Sequence, residues 1–208
     1  MDEWTNVIGI LFFLLIAIAL PLILRRRKKG EGAENIEELY QHLREVGVEA
    51  SLTEEGDDRE KIGVGRASGQ KSEGLIELED RNIDLINVVS VSTQYGTRYF
   101  IDYLVKSPNI MGERILKKTR LTRKKSPPIW GKAVALDWKG DGSLAQSLNL
   151  DYSLEDKLLR ADVKVFKGSI WIFPEPKHGY VRIRTDYSLP SAEIFEAISS
   201  IARRVKSW

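Results

Sequence analysis

The feature that most constrains this chain is an uncharged, apolar run near its N-terminus. Trp4 to Leu24 comprises 21 residues without a charged side chain, and Ile8 to Leu24 is almost purely apolar. As a helix rising ~1.5 Å per residue, the run is about 31 Å long, which matches a hydrocarbon core of ~30 Å. Trp4 stands where an aromatic residue would anchor the span at one interface. The run therefore predicts a transmembrane helix.

The flanks of this run distinguish a retained anchor from a cleaved signal peptide. A signal peptide has a basic start, a shorter apolar run of about 7–15 residues and a small-residue cleavage site. Here the start is acidic, at Asp2 and Glu3. Five basic residues follow the run directly: Arg25, Arg26, Arg27, Lys28 and Lys29. Because Lys and Arg beside a span stay in the cytoplasm, we expect a single-pass cell-membrane protein with its N-terminus outside and its C-terminal domain cytoplasmic.

The membrane flank also accounts for the basic character of the chain. Five of the 32 Lys and Arg residues lie at 25–29, and two of the 30 Asp and Glu residues are Asp2 and Glu3. That leaves 27 basic and 28 acidic residues in 30–208. A nearly neutral domain does not indicate a nucleic-acid-binding protein. We therefore divide the chain into an anchor with its basic flank, 1–29, and a cytoplasmic domain, 30–208.

The hydrophobic periodicity of 30–208 predicts a helix, then strands, then helices among further strands. Helical spacing over 36–46 predicts an amphipathic helix with Asn35 as N-cap and Gly47 as its stop. Alternating apolar residues over 62–105 predict strands. Ser143 and Ser153 are the expected N-caps of two short helices.

The last third of the chain predicts two β-hairpin strands, a further strand and a final helix. Lys167-Gly168 suits a two-residue hairpin turn between 163–166 and 170–173. In 180–185, Val181 and Ile183 alternate with two arginines, which predicts one buried and one solvated face. The last helix is expected to begin near Pro190. These patterns predict an α+β fold with a mostly antiparallel sheet and flanking helices, and a subdivision near 127–128 stays open.

A dense basic cluster is the most distinctive charged feature of the domain. Six cations fall within nine residues, with no acid among them: Lys117, Lys118, Arg120, Arg123, Lys124 and Lys125. The interpretation that needs no function is an exposed edge strand protected from aggregation by its lysines. The functional interpretations are contact with anionic lipid, and a grip on nucleic acid or an acidic partner. The tether favours lipid, and the lack of an aromatic residue inside the cluster disfavours single-stranded nucleic acid.

Motifs for catalysis, metals and nucleotides fail on their spacing. Asp137 to Gly142 resembles half of a calcium loop, but Lys139 occupies the third ligand position and Leu148 stands where a bidentate Glu is needed. Gly63 to Gly69 lacks the following helix that a dinucleotide-binding loop requires. His42 and His178 share no motif with a nucleophile or a second metal ligand. We therefore assign no catalytic residue, no metal ligand and no cofactor.

These observations favour a non-enzymatic module for binding, scaffolding or sensing, held at the membrane by its own span. The expected partners are the membrane itself, anionic lipid headgroups and an unidentified protein, with nucleic acid disfavoured. The alternative is a membrane-tethered enzyme whose dispersed active site leaves no local motif.

Overall fold

The structure, a computed structural model, describes residues 34–53, 69–79, 82–107, 117–126, 132–160 and 169–207. The predicted anchor at 4–24, its basic flank at 25–29 and the first half of the predicted 163–173 hairpin lie outside these residues. Among the helices that are described, none combines the length and apolar character needed to cross a bilayer.

Eight antiparallel strands form one sheet in the order β1-β2-β3-β4-β8-β7-β5-β6. The strands are β1 (Ala50–Leu52), β2 (Gln70–Leu78), β3 (Leu85–Thr93), β4 (Gly96–Lys106), β5 (Thr119–Ser126), β6 (Lys132–Lys139), β7 (Trp171–Glu175) and β8 (Tyr180–Asp186). The helices are α1 (34–45), α2 (Gly142–Asn149), α3 (Tyr152–Arg160) and α4 (Ala192–Lys206). The predicted α+β class with an antiparallel sheet is confirmed. Strands β5 and β6, on either side of 127–128, pair with each other.

All four described helices bury their apolar residues on one face of the sheet. Leu39 of α1, Leu144 of α2, Leu154 of α3 and Ile198 of α4 belong to the same buried cluster as Ile183 of β8. Burying a large apolar side chain stabilises the fold by about 1.5–3 kcal/mol. We call this side of the sheet the helix-covered face, and it contains the main core of the domain.

Several predicted helix boundaries are wrong, and side-chain hydrogen bonds explain the difference. Asp141 caps α2 and Asp151 caps α3. Their carboxylates accept hydrogen bonds from the backbone N–H groups of Leu144 and Leu154, respectively. The predicted caps, Ser143 and Ser153, lie within the first turns of these helices instead. The negative charge of an Asp at the N-cap is also stabilised by the positive end of the helix dipole.

The first and last helices differ from prediction in a similar way. Ser191, not Pro190, precedes α4 and accepts from the Ile194 N–H. Asn35 lies within α1 and is not its N-cap, whereas Gly47 ends the helical segment with a positive φ of 80°. A glycine adopts that conformation without steric cost, which is why it was a usable stop signal.

The described hairpin of the last third joins β7 to β8, whereas the first strand and the Lys167-Gly168 turn of the predicted 163–173 hairpin lie outside the described residues. Strand β7 pairs with β8 through a turn that contains the 3-10 segment Pro176–His178. The left-handed Gly179, with φ of 70°, closes this turn. Within the described residues, the other partner of β7 is β5, joined at Thr119 and Arg120.

Candidate functional site

The second face of the sheet, opposite the helix-covered face, carries the unusual chemistry of this domain. Its apolar cluster contains strand residues only, with Leu75 and Leu104 buried and Leu85 and Tyr180 packed against them. No described helix contributes to that cluster. The remaining side chains on this face are largely charged, polar or aromatic.

Cations and aromatic rings alternate across the second face from β4 to β5. Each cation lies 4.4–5.9 Å from the centroid of at least one ring, within the ~6 Å range of a cation–π interaction. We call this series the cation–aromatic stripe. Its members, in order, are Arg98, Phe100, Arg184, Phe173, Lys118, Trp171 and Arg120.

The strand register brings the members of the stripe together. Arg184 stands opposite Asp102 in the β4–β8 pair and opposite Trp171 in the β7–β8 pair. Trp171 in turn stands opposite Arg120 in the β5–β7 pair. Side chains directly opposite each other have Cβ atoms ~4.5–5.5 Å apart, so long side chains at these positions are in contact. The stripe is thus a product of pairing between distant segments.

A buried ionic network lies beneath the stripe. The Asp102 carboxylate accepts from Arg184 through both oxygens, at 2.6 Å from Nε and 2.7 Å from Nη2. It also accepts from Arg182 at 3.4 Å, and Arg182 donates to Glu175 at 2.7 Å. The Asp102 side chain is 1% exposed and that of Arg182 is 7% exposed. A two-point Arg–carboxylate contact fixes both groups in orientation as well as in charge.

The arginines of β8 correct the prediction of a solvated strand face. Arg182 is buried and Arg184 is half-buried. The apolar and charged residues do alternate between the two faces, but the cross-strand carboxylate of Asp102 allows guanidinium groups to lie out of water. A buried charge is tolerated when it is paired and hydrogen-bonded.

The predicted basic cluster divides between the two faces. Lys118, Arg120 and Lys124 are exposed. Along β5, Leu121 lies on the helix-covered face, so Arg120 and Lys124 lie on the second face. Lys117 is also exposed and donates its backbone N–H to Asp141. The side chain of Lys125 lies outside the described residues. Strand β5 stands between β7 and β6 in the sheet order, but its described register with β7 covers only Thr119 and Arg120, so only the first part of the basic segment is paired on both sides.

Arg123 behaves differently from the rest of the basic cluster. It lies opposite Leu136, a partly buried residue packed against the main core, and it is half-buried itself. Burial lowers the pKa of its guanidinium group from the ordinary value. Arg123 is therefore not part of the exposed cationic surface that the sequence predicts at 117–125.

The segment that resembles a calcium loop is a turn between β6 and α2. Gly140 has φ of 136°, and a Cβ on it would lie 2.1 Å from the Lys118 carbonyl oxygen. Burial acts to raise the pKa of Asp141, but hydrogen bonds from the backbone N–H groups of Lys117 and Leu144 and from Ser143 hold it below the usual value. Within the described residues no three His, Asp or Glu side chains converge as a metal site.

The two histidines lie on different parts of the molecule. His42 is half-buried on α1, with its Nε2 atom 2.8 Å from the Pro190 carbonyl oxygen. His178 lies in the turn between β7 and β8.

Two surface depressions lie away from the stripe. One, of about 550 Å³, is lined by residues of α1, of β1 and of the segment between them, together with Glu79. The other, of about 370 Å³, lies between α2 and Arg204 of α4. Neither contains a member of the cation–aromatic stripe.

No protein-family model, no curated protein and no solved structure significantly matches this chain. The chemistry of the second face is therefore the main indication of what this domain does. The sequence missed its aromatic members because they lie more than 40 residues from the basic cluster or, for Phe100, before it. One sequence signal could have found Trp171 and Phe173. They lie in the predicted strand directly before the strand of Arg182 and Arg184, so the two strands could pair.

Proposed function

We propose that this chain is a single-pass membrane protein whose cytoplasmic domain is a non-enzymatic binding module. Its binding surface is the second face of the sheet. The helix-covered face holds the core, and the second face presents the cation–aromatic stripe. The sequence supports the anchor through the apolar run at 4–24 and the orientation through the basic flank at 25–29.

The observation that carries the binding role is the exposed end of the stripe. Lys118 and Arg120 are exposed cations beside Trp171, and neither forms an ion pair within the described part of the chain. Arg and aromatic residues are enriched where surfaces bind partners, because they combine large contact area with directional polar groups. Asp137, diagonal to Arg120 in the β5–β6 register and on the same face, pairs with Lys139 at 3.6 Å. Lys118 and Arg120 therefore remain available to an anionic ligand.

Membrane topology is the first test. A reporter that is active only in the cytoplasm, fused after Trp208 of the full chain, is expected to be active. The same fusion carrying Gln in place of all five flank cations at 25–29 is expected to lose its uniform orientation, because Lys and Arg beside the span set the topology. An inactive wild-type fusion present in the membrane would overturn the orientation.

The binding surface is tested by site-specific photo-crosslinking in intact membranes. A photoreactive residue at Thr122, on the same side of β5 as Arg120, is expected to form covalent adducts with the molecule bound at the second face. The matched control position is Ser153, exposed on α3 in the helix layer. Equal adduct yields at the two positions, or adducts at Ser153 alone, would contradict the assignment of the second face as the binding surface.

A further inference from the structure

The charges of the stripe are compensated at one end and not at the other. Arg98 pairs with Asp186 at 3.0 Å, and Arg184 pairs with Asp102. Lys118 and Arg120, at the β5 end, form no ion pair within the residues that the structure describes. The β5 end therefore has an excess of positive charge and complements a surface of negative charge.

The aromatic rings of the stripe are already covered by cations of the protein itself. The Lys118 Nζ atom lies 4.4 Å from the Trp171 centroid and 4.7 Å from the Phe173 centroid. Arg184 lies over both Phe100 and Phe173, at 5.2 and 5.9 Å. Trp171 and Phe173 also stack on each other, with 11° between their planes. Nucleobases need a free ring face for stacking, so this arrangement favours phosphate groups over bases.

The described chain begins with α1 in the helix layer, and the start of α1 lies near the Arg98 end of the stripe. The Tyr187 hydroxyl donates to the Asn35 carbonyl of α1 at 2.6 Å. Tyr187 directly follows Asp186, the ion-pair partner of Arg98. Nine residues, 25–33, separate the predicted span from α1 and reach at most ~32 Å when fully extended. A domain held that close to a bilayer meets its lipids at a high effective concentration.

We propose that the cation–aromatic stripe docks on the anionic phospholipid headgroups of the bilayer that holds the anchor, with the second face of the sheet turned toward the membrane. This inference rests on the proposed membrane tether. Lys118 and Arg120 contact phosphate groups, while the edges of Trp171 and Phe173 lie at headgroup depth, where amphipathic rings are favoured. The helix layer then faces the cytoplasm.

The test uses the full chain in lipid nanodiscs of phosphatidylcholine, with or without phosphatidylserine. The sequence has no cysteine, so a single introduced thiol carries a spin label without background. Thr122→Cys reports on the second face and Ser153→Cys on the helix layer. A nickel chelate carried on a lipid headgroup is expected to relax the label at 122, only in discs that contain phosphatidylserine, and to leave the label at 153 unaffected.

Charge variants then measure the contribution of the two cations. Each Lys or Arg near an anionic surface contributes about 1 kcal/mol, so K118Q/R120Q is expected to lower the ratio of docked to undocked domain about 30-fold. The matched control is R160Q/R203Q, which removes the same charge from exposed positions on α3 and α4. That control is expected to leave the ratio unchanged.

Each other outcome identifies which proposal fails. Three results would overturn lipid docking and leave the tether intact. They are relaxation of the label at 153 but not at 122, equal relaxation in both lipid compositions, and no effect of K118Q/R120Q on the docked fraction. A chain that alkaline carbonate extracts from membranes would instead overturn the tether. Binding of a mixed-sequence oligonucleotide that K118Q/R120Q abolishes, with unchanged lipid contact, would assign the stripe to nucleic acid.

Discussion

The two faces of the sheet use the same strands but depend on different forces. On the helix-covered face, Val181 and Ile183 are fully buried against helices. On the second face, the intervening Arg182 and Arg184 are held by Asp102 and by aromatic rings. One face is stabilised mainly by the area removed from water, whereas the other requires each charge to keep its partner.

This difference shows that the two sides of one strand can be held in place by different kinds of interaction. Hydrophobic burial is non-directional, so the helix-covered face fixes the domain without specifying any single contact. Charge-assisted hydrogen bonds are directional, so the second face holds its side chains in defined positions. Pre-positioned cations lose less conformational freedom when they bind an anionic ligand.

The largest effect is expected from Asp102→Asn, which keeps the shape of the side chain but removes its charge. Arg182 and Arg184 would then lie at the second face without their shared carboxylate. Removing one partner of a buried ion pair costs about 3–5 kcal/mol. A urea titration of the full chain in nanodiscs, followed by tryptophan fluorescence, measures the free energy of unfolding.

Asp186→Asn is the matched control, because Asp186 pairs with Arg98 at the exposed end of the same stripe. Exposed ion pairs contribute about 0–1 kcal/mol. If both variants lost the same small free energy, the polar network would be solvated and the contrast between the faces would disappear.

The next largest effect is expected from Ile183→Ala on the helix-covered face. Ile183 is fully buried, and truncating a buried Ile to Ala costs about 2–5 kcal/mol through lost burial and the cavity left behind. Leu85→Ala is the control on the second face, where Leu85 is half-buried. The same urea titration should give a smaller loss for Leu85→Ala, and equal losses would mean that both faces are packed to the same density.

A pH-dependent effect is expected at the rim of the helix layer, from Asp151→Asn. Burial acts to raise the Asp151 pKa, but hydrogen bonds from Arg204 and from the Leu154 N–H hold it below the usual value. A lowered native pKa gives stability above the unfolded-state pKa of about 3.9 that is lost as the pH falls through the native value. Neutralising this partly exposed pair should cost about 0.5–1 kcal/mol at pH 7.

Urea titrations at several pH values measure that difference. The wild-type and Asp151→Asn free energies of unfolding should converge as the medium becomes more acidic than the native pKa. Arg160→Gln, which breaks an exposed pair within α3, serves as the control. If the difference between the wild-type and Asp151→Asn free energies of unfolding stayed constant down to the lowest pH, the carboxylate charge would not be the cause of that difference.

The smallest effect on stability is expected from K118Q/R120Q. Both side chains are exposed, and surface substitutions usually change the free energy of unfolding by less than about 0.5 kcal/mol. The same variant is expected to reduce lipid docking strongly. A loss above about 2 kcal/mol in the urea titration would instead make these cations part of what holds β5 to β7.

The fold class could be predicted from the sequence because it depends on local periodicity. The position of Pro190 predicts the start of the last helix to within two residues of α4, and the alternation in 180–185 predicts β8. Helix starts were less accurate, because Asp141 and Asp151 compete with the neighbouring serines as caps. The choice between them depends on which side chain reaches the free N–H groups, and periodicity carries no information about that geometry.

The candidate site was only partly predictable. The density of positive charge at 117–125 drew attention to Lys118 and Arg120, but it also included Arg123, which points toward the core. The aromatic partners come from β4 and β7. Their contact with the cations depends on strand order and register, which a single sequence does not specify.

By itself, the sequence determined the α+β class and the two-sided character of β8, and it predicts an N-terminal span. Each of these follows from residues close together in the chain. Only the tertiary structure decided that Arg182 is buried and that Lys118 lies over Trp171. The physical reason is that a charge is stabilised by whatever faces it across the sheet. In this domain, those neighbours are brought together by antiparallel pairing between residues up to 86 positions apart.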